Sequence, residues 1–336
     1  MIAVFTLSVP ALAASPTSNL GFLSRDSVLS WIDTYRAKPE PNRLPAAVRT
    51  LSRAGVLKEV ETSGFYVGFM AGVIGSNPAI ADQLIARMLP LPVEDQWVVV
   101  RAVAFSGLPD WQRRLHDLAP LLPARQVMIK QYLSGKLPLL GNLELDRDPT
   151  WTEKVQMHFG HKPPQPKLSF ANNPELLDTL WGEYFATGQY QPIWRILTML
   201  PWSKDRDSVE RLTVGSMAKV TLANNVARYP DLLAMLKEMA PYQSTEVNKL
   251  LLETIEAGET MQAPTLRKQA LASIEDLKRK GPGYRRDVSL WSQVGQGAIA
   301  VGCIAAASAS LTVLGLPCVI GGATASAAMN YWSNQQ

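Results

Sequence analysis

The sequence is poor in cysteine, histidine and charge. Among 336 residues there are two cysteines, three histidines and 18% charged side chains. Two thiols are too few for a disulfide framework or a zinc–cysteine cluster. Cys303 and Cys318 both lie in an apolar stretch, and a turn of that stretch at 315–317 would hold them too far apart to bond. We interpret them as small buried apolar residues and expect no metal or other cofactor.

Candidates for catalysis are few. His158 and His161 have a spacing that suits a metal, but Gly160 and the prolines after it favour a loop over a rigid helical face. Asp146 and Asp148 would suit an acid–base pair, although aspartate before proline is also common in turns. No serine lies in a nucleophile-elbow context. The sequence therefore offers no residue set for a reaction, and we expect a function other than catalysis.

Strong basic patches are also missing. The net charge of +4 and the pI of about 9.0 are mild for this length, and no basic stripe is interleaved with aromatic residues. This pattern argues against a nucleic-acid-binding protein. No Gly-rich nucleotide loop and no convincing strand is present either.

Helical periodicity is what the sequence does contain. Val28, Trp31, Ile32 and Tyr35 recur at the spacing of one helix face. The valine-rich segment 94–105 is assigned to a helix because of its acidic first turn and helical neighbours. The 24 prolines divide the chain into short helices. Ser76-Asn77-Pro78 is predicted to cap a helix over 79–89. We predict an all-α fold, an irregular α-solenoid-like array of helical hairpins.

The C-terminal region has no charged residue from Val294 to Met329. Val294–Leu314 is long enough to span a bilayer, and Gly315-Leu316-Pro317 would break the helix before a shorter second segment. We predict a transmembrane hairpin or single span within 291–332, with an Ala/Gly-rich hairpin buried against a soluble domain as the alternative. Small residues spaced for close packing of helices in lipid are Ala298, Gly302, Ala306, Ser310, Gly321 and Gly322.

Two further segments bear on the membrane. Residues 1–13 resemble the apolar core and small-x-small end of a secretory signal, although no Lys or Arg precedes them. They predict export to the periplasmic face of a bacterial membrane. A basic cluster before the apolar run suits anionic lipid headgroups, and its members are Lys278, Arg279, Lys280, Arg285 and Arg286. Export places this cluster on the outer side, against the positive-inside tendency. Either the hairpin inserts from outside without following that tendency, or residues 1–13 are not a signal and the protein faces the cytoplasm.

Domain boundaries follow from composition. The proline-rich segment 161–171 is predicted to be an extended linker. It separates a helical domain at 24–160 from a second helical domain at 172–285.

A short skeleton occurs twice. The second half contains, at offsets 0, 4, 6, 9 and 13, the residues Tyr184, Gly188, Tyr190, Ile193 and Leu197. The first half contains, at the same offsets and 113 residues earlier, Ala71, Gly75, Asn77, Ile80 and Leu84. Such a pattern is typical of a helix, a tight glycine turn and a second helix packing back. Any two short helices joined by glycine would look similar, so the two interpretations are an internal repeat and a chance likeness of two helix pairs.

The second copy resembles a degenerate tetratricopeptide repeat, without a continuing 34-residue period. That resemblance implies a groove that binds peptides or proteins. The aromatic residues Trp181, Tyr184, Tyr190 and Trp194 are the candidate binding residues.

The functional prediction is a membrane-anchored, exported interaction or scaffold module of the cell envelope. Its expected partners are membrane lipid, a protein or peptide, and a second copy of the chain through the C-terminal hairpin. One alternative is a membrane-active protein whose Gly/Ala-rich hairpin oligomerises or forms a pore. The other is an envelope enzyme of unknown reaction.

Overall fold

The computed structural model describes residues 21–58, 60–142, 175–260 and 262–280, and every regular element in these ranges is helical. This confirms the predicted all-α class. Thirteen α-helices are found here: α1 (Arg25–Tyr35), α2 (Leu44–Arg53), α3 (Val60–Ser76), α4 (Ala81–Met88), α5 (Trp97–Phe105), α6 (Trp111–Leu118), α7 (Gln126–Leu133), α8 (Glu175–Thr187), α9 (Tyr190–Thr198), α10 (Val209–Val226), α11 (Pro230–Met239), α12 (Thr245–Glu259) and α13 (Ala263–Lys280).

Helix α1 forms as its sequence predicts. Ser24 caps its N-terminus, because its hydroxyl accepts a hydrogen bond from the Ser27 backbone N–H and the Ser27 hydroxyl accepts one in return. The apolar face is buried, and it comprises Val28, Trp31, Ile32 and Tyr35. Gly55, with φ of 72°, ends the turn after α2, as expected of a glycine beyond a helix C-terminus.

The start of α4 differs from the expected cap. Asn77 does not cap α4; its side-chain amide donates to the Val73 carbonyl, 2.8 Å away, at the end of α3. The chain then makes a 3-10 turn over Pro78–Ile80, and α4 begins at Ala81. The last carbonyls of α3 lack helical partners, and the amide satisfies one of them instead of capping the next helix.

Helices α3 and α8 form the centre of the fold, and glycine allows their close approach. A Cβ placed on Gly64 would collide with the carbonyl of Glu175, and one on Gly68 with the carbonyl of Thr179. Only a residue without a side chain fits against a neighbouring backbone in this way. The motif Gly64-xxx-Gly68-xxx-Gly72 thus makes one side of α3 flat.

The approach is reciprocal. From α8, Gly182 lies against the carbonyl of Phe65, and further along Gly72 faces the side chain of Ala186. The contacting residue numbers increase together along both helices, so α3 and α8 run in the same direction.

The two halves of the chain share one hydrophobic core. Buried side chains before and after residues 143–174 belong to a single continuous cluster. The rings of Phe65 and Phe185, for example, lie 5.8 Å apart and meet edge to face. The described parts of the two predicted domains are therefore packed together. The predicted signal at 1–13, the linker at 161–171 and the apolar segment at 291–332 lie outside the described residues, and the domain boundaries stay predictions.

Helix α10 organises the second half. Ser208 caps it by accepting a hydrogen bond from the Arg211 backbone N–H. Helix α12 packs closely on it where Gly258 lies against Ala223 and Val226. Helices α9 and α11 lie at the edge of this assembly, where the candidate site is found.

Candidate functional site

The four predicted aromatic residues divide into two buried and two exposed side chains. Trp181 and Tyr184 on α8 are fully buried. The indole Nε1–H of Trp181 donates to Thr221 Oγ1 on α10, 3.0 Å away, so this residue connects two helices of the core. A ligand at the surface would not contact either ring, and their part in binding stays a prediction.

Tyr190 and Trp194 lie on the surface of α9, and their side chains are 50% and 43% exposed. They are four residues apart and therefore share one face of the helix. The adjoining face is buried through Ile193, Ile196 and Leu197. We call the exposed pair the aromatic face of α9.

A tight turn places this face. Gly188, with φ of 66°, connects α8 to α9, and its N–H donates to the Tyr184 carbonyl, 2.7 Å away. Positive φ is costly for a residue with a Cβ, so glycine is the natural residue here. The turn folds α9 back on α8, and the aromatic face stays outside.

Helix α11 borders the aromatic face through Glu238. The Tyr190 hydroxyl donates to Glu238 Oε2 on α11, 2.9 Å away, and this hydrogen bond is the main reason that the pKa of Tyr190 is raised. Within the described ranges, Glu238 makes no salt bridge with Lys or Arg. Asp231 lies seven residues earlier on the same side of α11, and its side chain is 60% exposed.

Arg36 lies at the other end of this region, at the C-terminus of α1. Its guanidinium carbon is 4.5 Å from the ring centroid of Tyr184, 5.0 Å from that of Phe185 and 4.9 Å from that of Tyr229. One Nη is 3.0 Å from a carboxylate oxygen of Asp231. The cation thus lies over aromatic rings and is paired with a carboxylate. We call these five residues the Arg36 cluster.

Burial strengthens the electrostatics of this cluster. The Tyr229 hydroxyl hydrogen-bonds to the Asp33 carboxylate, and burial, helped by this contact, raises the pKa of Tyr229. Burial also raises the pKa of Tyr184. The Tyr184 hydroxyl and the Nε and Nη1 of Arg36 are buried and have no hydrogen-bond partner among the described residues. The arrangement holds the Arg36 cation against the three rings and the Asp231 carboxylate.

A half-buried carboxylate, that of Glu183, lies next to Tyr184 on α8. Desolvation raises the pKa of Glu183 to about 7, and the nearby charge of Arg195 opposes this only in part. The Arg195 guanidinium donates instead to the carbonyls of Leu140 and Gly141. We therefore expect Glu183 to titrate near neutral pH.

The remaining predicted sites are mostly beyond the described ranges. Arg279 is on α13, 78% exposed and 3.0 Å from Asp276, while Lys278 and Lys280 belong to the same helix. Arg285, Arg286, both cysteines and the six small residues at 298–322 lie outside the description, as do His158, His161, Asp146 and Asp148. Across the ranges that are described, no helix is both long and apolar enough to span a bilayer. In those same ranges no cluster of His, Cys, Asp and Glu is suited to a metal ion.

Sequence reasoning missed Arg36 and Glu238. Each looks like an ordinary surface charge in the sequence, and no local signal distinguishes it. The close packing of α3 could have been found, since Gly64, Gly68 and Gly72 repeat every four residues within an apolar helix.

Comparison with known proteins adds no relative. No protein family, no curated protein and no solved structure matches the chain.

Proposed function

With no relative to indicate a role, we propose that the protein is a membrane-anchored, exported helical module that binds a protein or peptide partner in the cell envelope. The aromatic face of α9, formed by Tyr190 and Trp194, is the proposed contact surface. The proposal assigns no reaction to the chain.

The exposure of these two aromatic residues carries the proposal. Most large aromatic side chains of the described fold are buried, whereas Tyr190 and Trp194 share one exposed helix face. Tyrosine and tryptophan are enriched among the residues that dominate binding energy at protein interfaces. The face also rests on a rigid base, because Ile193, Ile196 and Leu197 fix α9 against the core.

The architecture that we propose is an α-solenoid-like array of helical hairpins. The pairs α3–α4 and α8–α9 both join an apolar helix to a short amphipathic one, at the 113-residue spacing of the sequence skeleton. Stacked helix pairs expose one face for partners. A small-residue hairpin or span within 291–332 is the proposed anchor, with the basic cluster at 278–286 beside the bilayer.

Site-specific photocrosslinking tests the contact surface. A photoreactive phenylalanine analogue is placed at Trp194 in the full chain, expressed in its native host. Val127, which is apolar, 70% exposed and on α7, is the matched control position. We expect a crosslinked adduct of discrete mass from position 194 and none from position 127. Equal adducts at both positions, or none at either, would contradict the proposed surface.

Fractionation tests the anchor. Carbonate extraction should leave the tagged full chain in the membrane pellet and release a variant that ends before Val294. Protease protection then reports the side of the membrane. Release of the full chain by carbonate would contradict the anchor and leave the contact surface to be judged by crosslinking.

Conductance separates an anchor from a pore. Purified full chain in liposomes should not conduct ions if 291–332 only anchors the protein. Ion conductance that disappears on deletion of Val294–Gln336 would replace the interaction module with a membrane-active protein.

A further inference from the structure

We infer that the aromatic face of α9 receives a lysine or arginine side chain from a basic segment of the partner protein. This inference rests on the proposed function and specifies the chemistry of the partner. It follows from the charge beside the face and from how the same region holds Arg36.

The aromatic face and Glu238 together suit a cation. Tyr190 and Trp194 present ring surface to solvent, and Glu238 lies within hydrogen-bond distance of the Tyr190 hydroxyl. A cation over an aromatic ring is attracted by the ring quadrupole, and a neighbouring carboxylate adds a counterion. Because Glu238 makes no salt bridge with a described Lys or Arg, an incoming cation would not have to displace another.

The Arg36 cluster shows the same recognition within the fold. Arg36 lies over three rings and pairs with Asp231, which is on the same helix as Glu238. Asp231 and Glu238 are seven residues apart and lie on one side of α11. The inner end of this side already holds a guanidinium between aromatic rings and a carboxylate. The outer end has the rings of the aromatic face and the Glu238 carboxylate, and the one described lysine beside Glu238, Lys237, is paired with Glu259.

Other partner chemistries fit less well. An acidic segment would be repelled by Glu238 and by the exposed Asp231. A wholly apolar segment would remove Glu238 from water without compensating its charge, which is costly. The chain as a whole carries a net charge of +4, so general electrostatics would not attract a basic peptide. Affinity for a basic peptide would therefore come from Tyr190, Trp194 and Glu238 and not from the net charge of the chain.

Fluorescence anisotropy with the full chain in detergent tests the inference. The probes are labelled nine-residue peptides in which alanine alternates with arginine, lysine, glutamine or glutamate. We expect the arginine and lysine peptides to bind at least tenfold more tightly than the glutamine peptide, and the glutamate peptide not to bind. Raising the salt concentration should weaken binding of the basic peptides.

Substitutions identify the side chains that bind the peptide. Glu238→Gln and Trp194→Ala should each weaken binding of the arginine peptide about fivefold to tenfold. Glu259→Gln is the matched control, because Glu259 is also an exposed glutamate of this half but is paired with Lys237 on α11. It should leave the affinity unchanged. Unaltered far-UV circular dichroism confirms that each variant is folded.

Three outcomes would overturn the inference. They are equal binding of the glutamine and arginine peptides, binding that survives both Glu238→Gln and Trp194→Ala, and absence of binding by every peptide. Any of them rejects a basic partner segment. Crosslinking from position 194 is independent of these peptides, so the proposed contact surface would stand or fall separately.

Discussion

Arg36 joins three parts of the chain through a single side chain. It follows α1, lies over the rings of the α8 residues Tyr184 and Phe185, and pairs with Asp231 of α11. Its side chain is only 11% exposed, so its contacts with the rings occur largely out of water, whereas the Asp231 side chain is 60% exposed. The cation–π contacts are stronger there than at the surface, and the residue positions the edge of the candidate site.

Replacing this arginine should lower stability. A lysine at this position would keep the charge, but a compact ammonium would contact fewer of the surrounding rings than the broader guanidinium does. We expect Arg36→Lys to reduce the free energy of unfolding by about 1–2 kcal/mol. Urea unfolding followed by fluorescence measures this. Arg279→Lys, at an exposed pair with Asp276, should change stability by less than about 0.5 kcal/mol. A similar small effect at both positions would show that the stacking contributes little.

Glu183 should make stability depend on pH. Its folded pKa of about 7 lies above the ordinary value of 4.5, so the native state favours the protonated form. The stability associated with this group is complete below pH 4.5 and is lost as the pH rises through 7. We expect Glu183→Gln to abolish this loss, which amounts to about 2–3 kcal/mol. Unfolding free energies at about pH 5 and about pH 8, on either side of the folded pKa, provide the measurement.

Glu253 should make stability depend on pH in the opposite direction. Glu253 accepts a hydrogen bond from Lys219, 2.9 Å away, and this contact lowers its pKa. Its contribution is present above pH 4.5 and is lost as the pH falls through its folded pKa. Glu253→Gln should therefore remove stability at neutral pH and have no effect in strong acid. If Glu183→Gln behaved in the same way, the buried carboxylate would be charged in the native state.

At the scale of elements, the pairing of α3 with α8 depends on glycine. The helices approach so closely that backbone atoms of one occupy the place of side chains on the other. Such packing is efficient, but it tolerates no added volume. The same geometry fixes the direction of α8 and hence the position of the turn at Gly188 and of α9.

A methyl group should disrupt this pairing. A Cβ at Gly68 would overlap the Thr179 carbonyl, and neither backbone can move independently of its helix. We expect Gly68→Ala to cost about 3 kcal/mol or more, although alanine favours helix formation. Gly141→Ala, at a position with open space, should change stability by less than about 0.5 kcal/mol. Thermal unfolding of both variants distinguishes an effect of packing from an effect of helix propensity. Equal changes in stability would exclude an overlap of the Gly68 Cβ with the Thr179 carbonyl.

At the scale of the whole molecule, the shared core makes the halves interdependent. Separation of α3 from α8 would expose Phe65 and Phe185 together with the glycine surfaces. Burial of such side chains stabilises by about 1.5–3 kcal/mol each. The described fold therefore behaves as one packing unit, and the candidate site depends on residues from both halves.

Cleavage between the halves tests this interdependence. A protease site is inserted in the segment 161–171, and the purified full chain is cut after folding. We expect the two fragments to elute together in size-exclusion chromatography and to separate only in denaturant. An intact chain without the inserted site is the control for the protease. Separation under native conditions would show that 24–160 and 172–285 are independent domains.

Local sequence was sufficient to predict most of the helices. The spacing of Val28, Trp31, Ile32 and Tyr35 predicted α1 and its buried face, and the valine-rich segment was correctly assigned to α5. Helical periodicity and the hydrogen bonds along a helix connect residues only a few positions apart, so these features can be read from short windows. The start of α4 was misplaced because Asn77 bonds backward to α3, and both choices are local and compatible with its sequence.

The sequence by itself determined the helical class, the buried faces and the turn at Gly188, because these depend on neighbours along the chain. Only the tertiary structure decided which aromatic residues are exposed. Tyr184 and Tyr190 look equivalent in the sequence, yet one is buried against Arg36 and the other meets Glu238 at the surface. Arg36 and Asp231 are 195 residues apart in sequence, and they meet beside the rings of Tyr184 and Phe185 on α8. Contacts of that range depend on the mutual fit of whole helices, which no local pattern encodes.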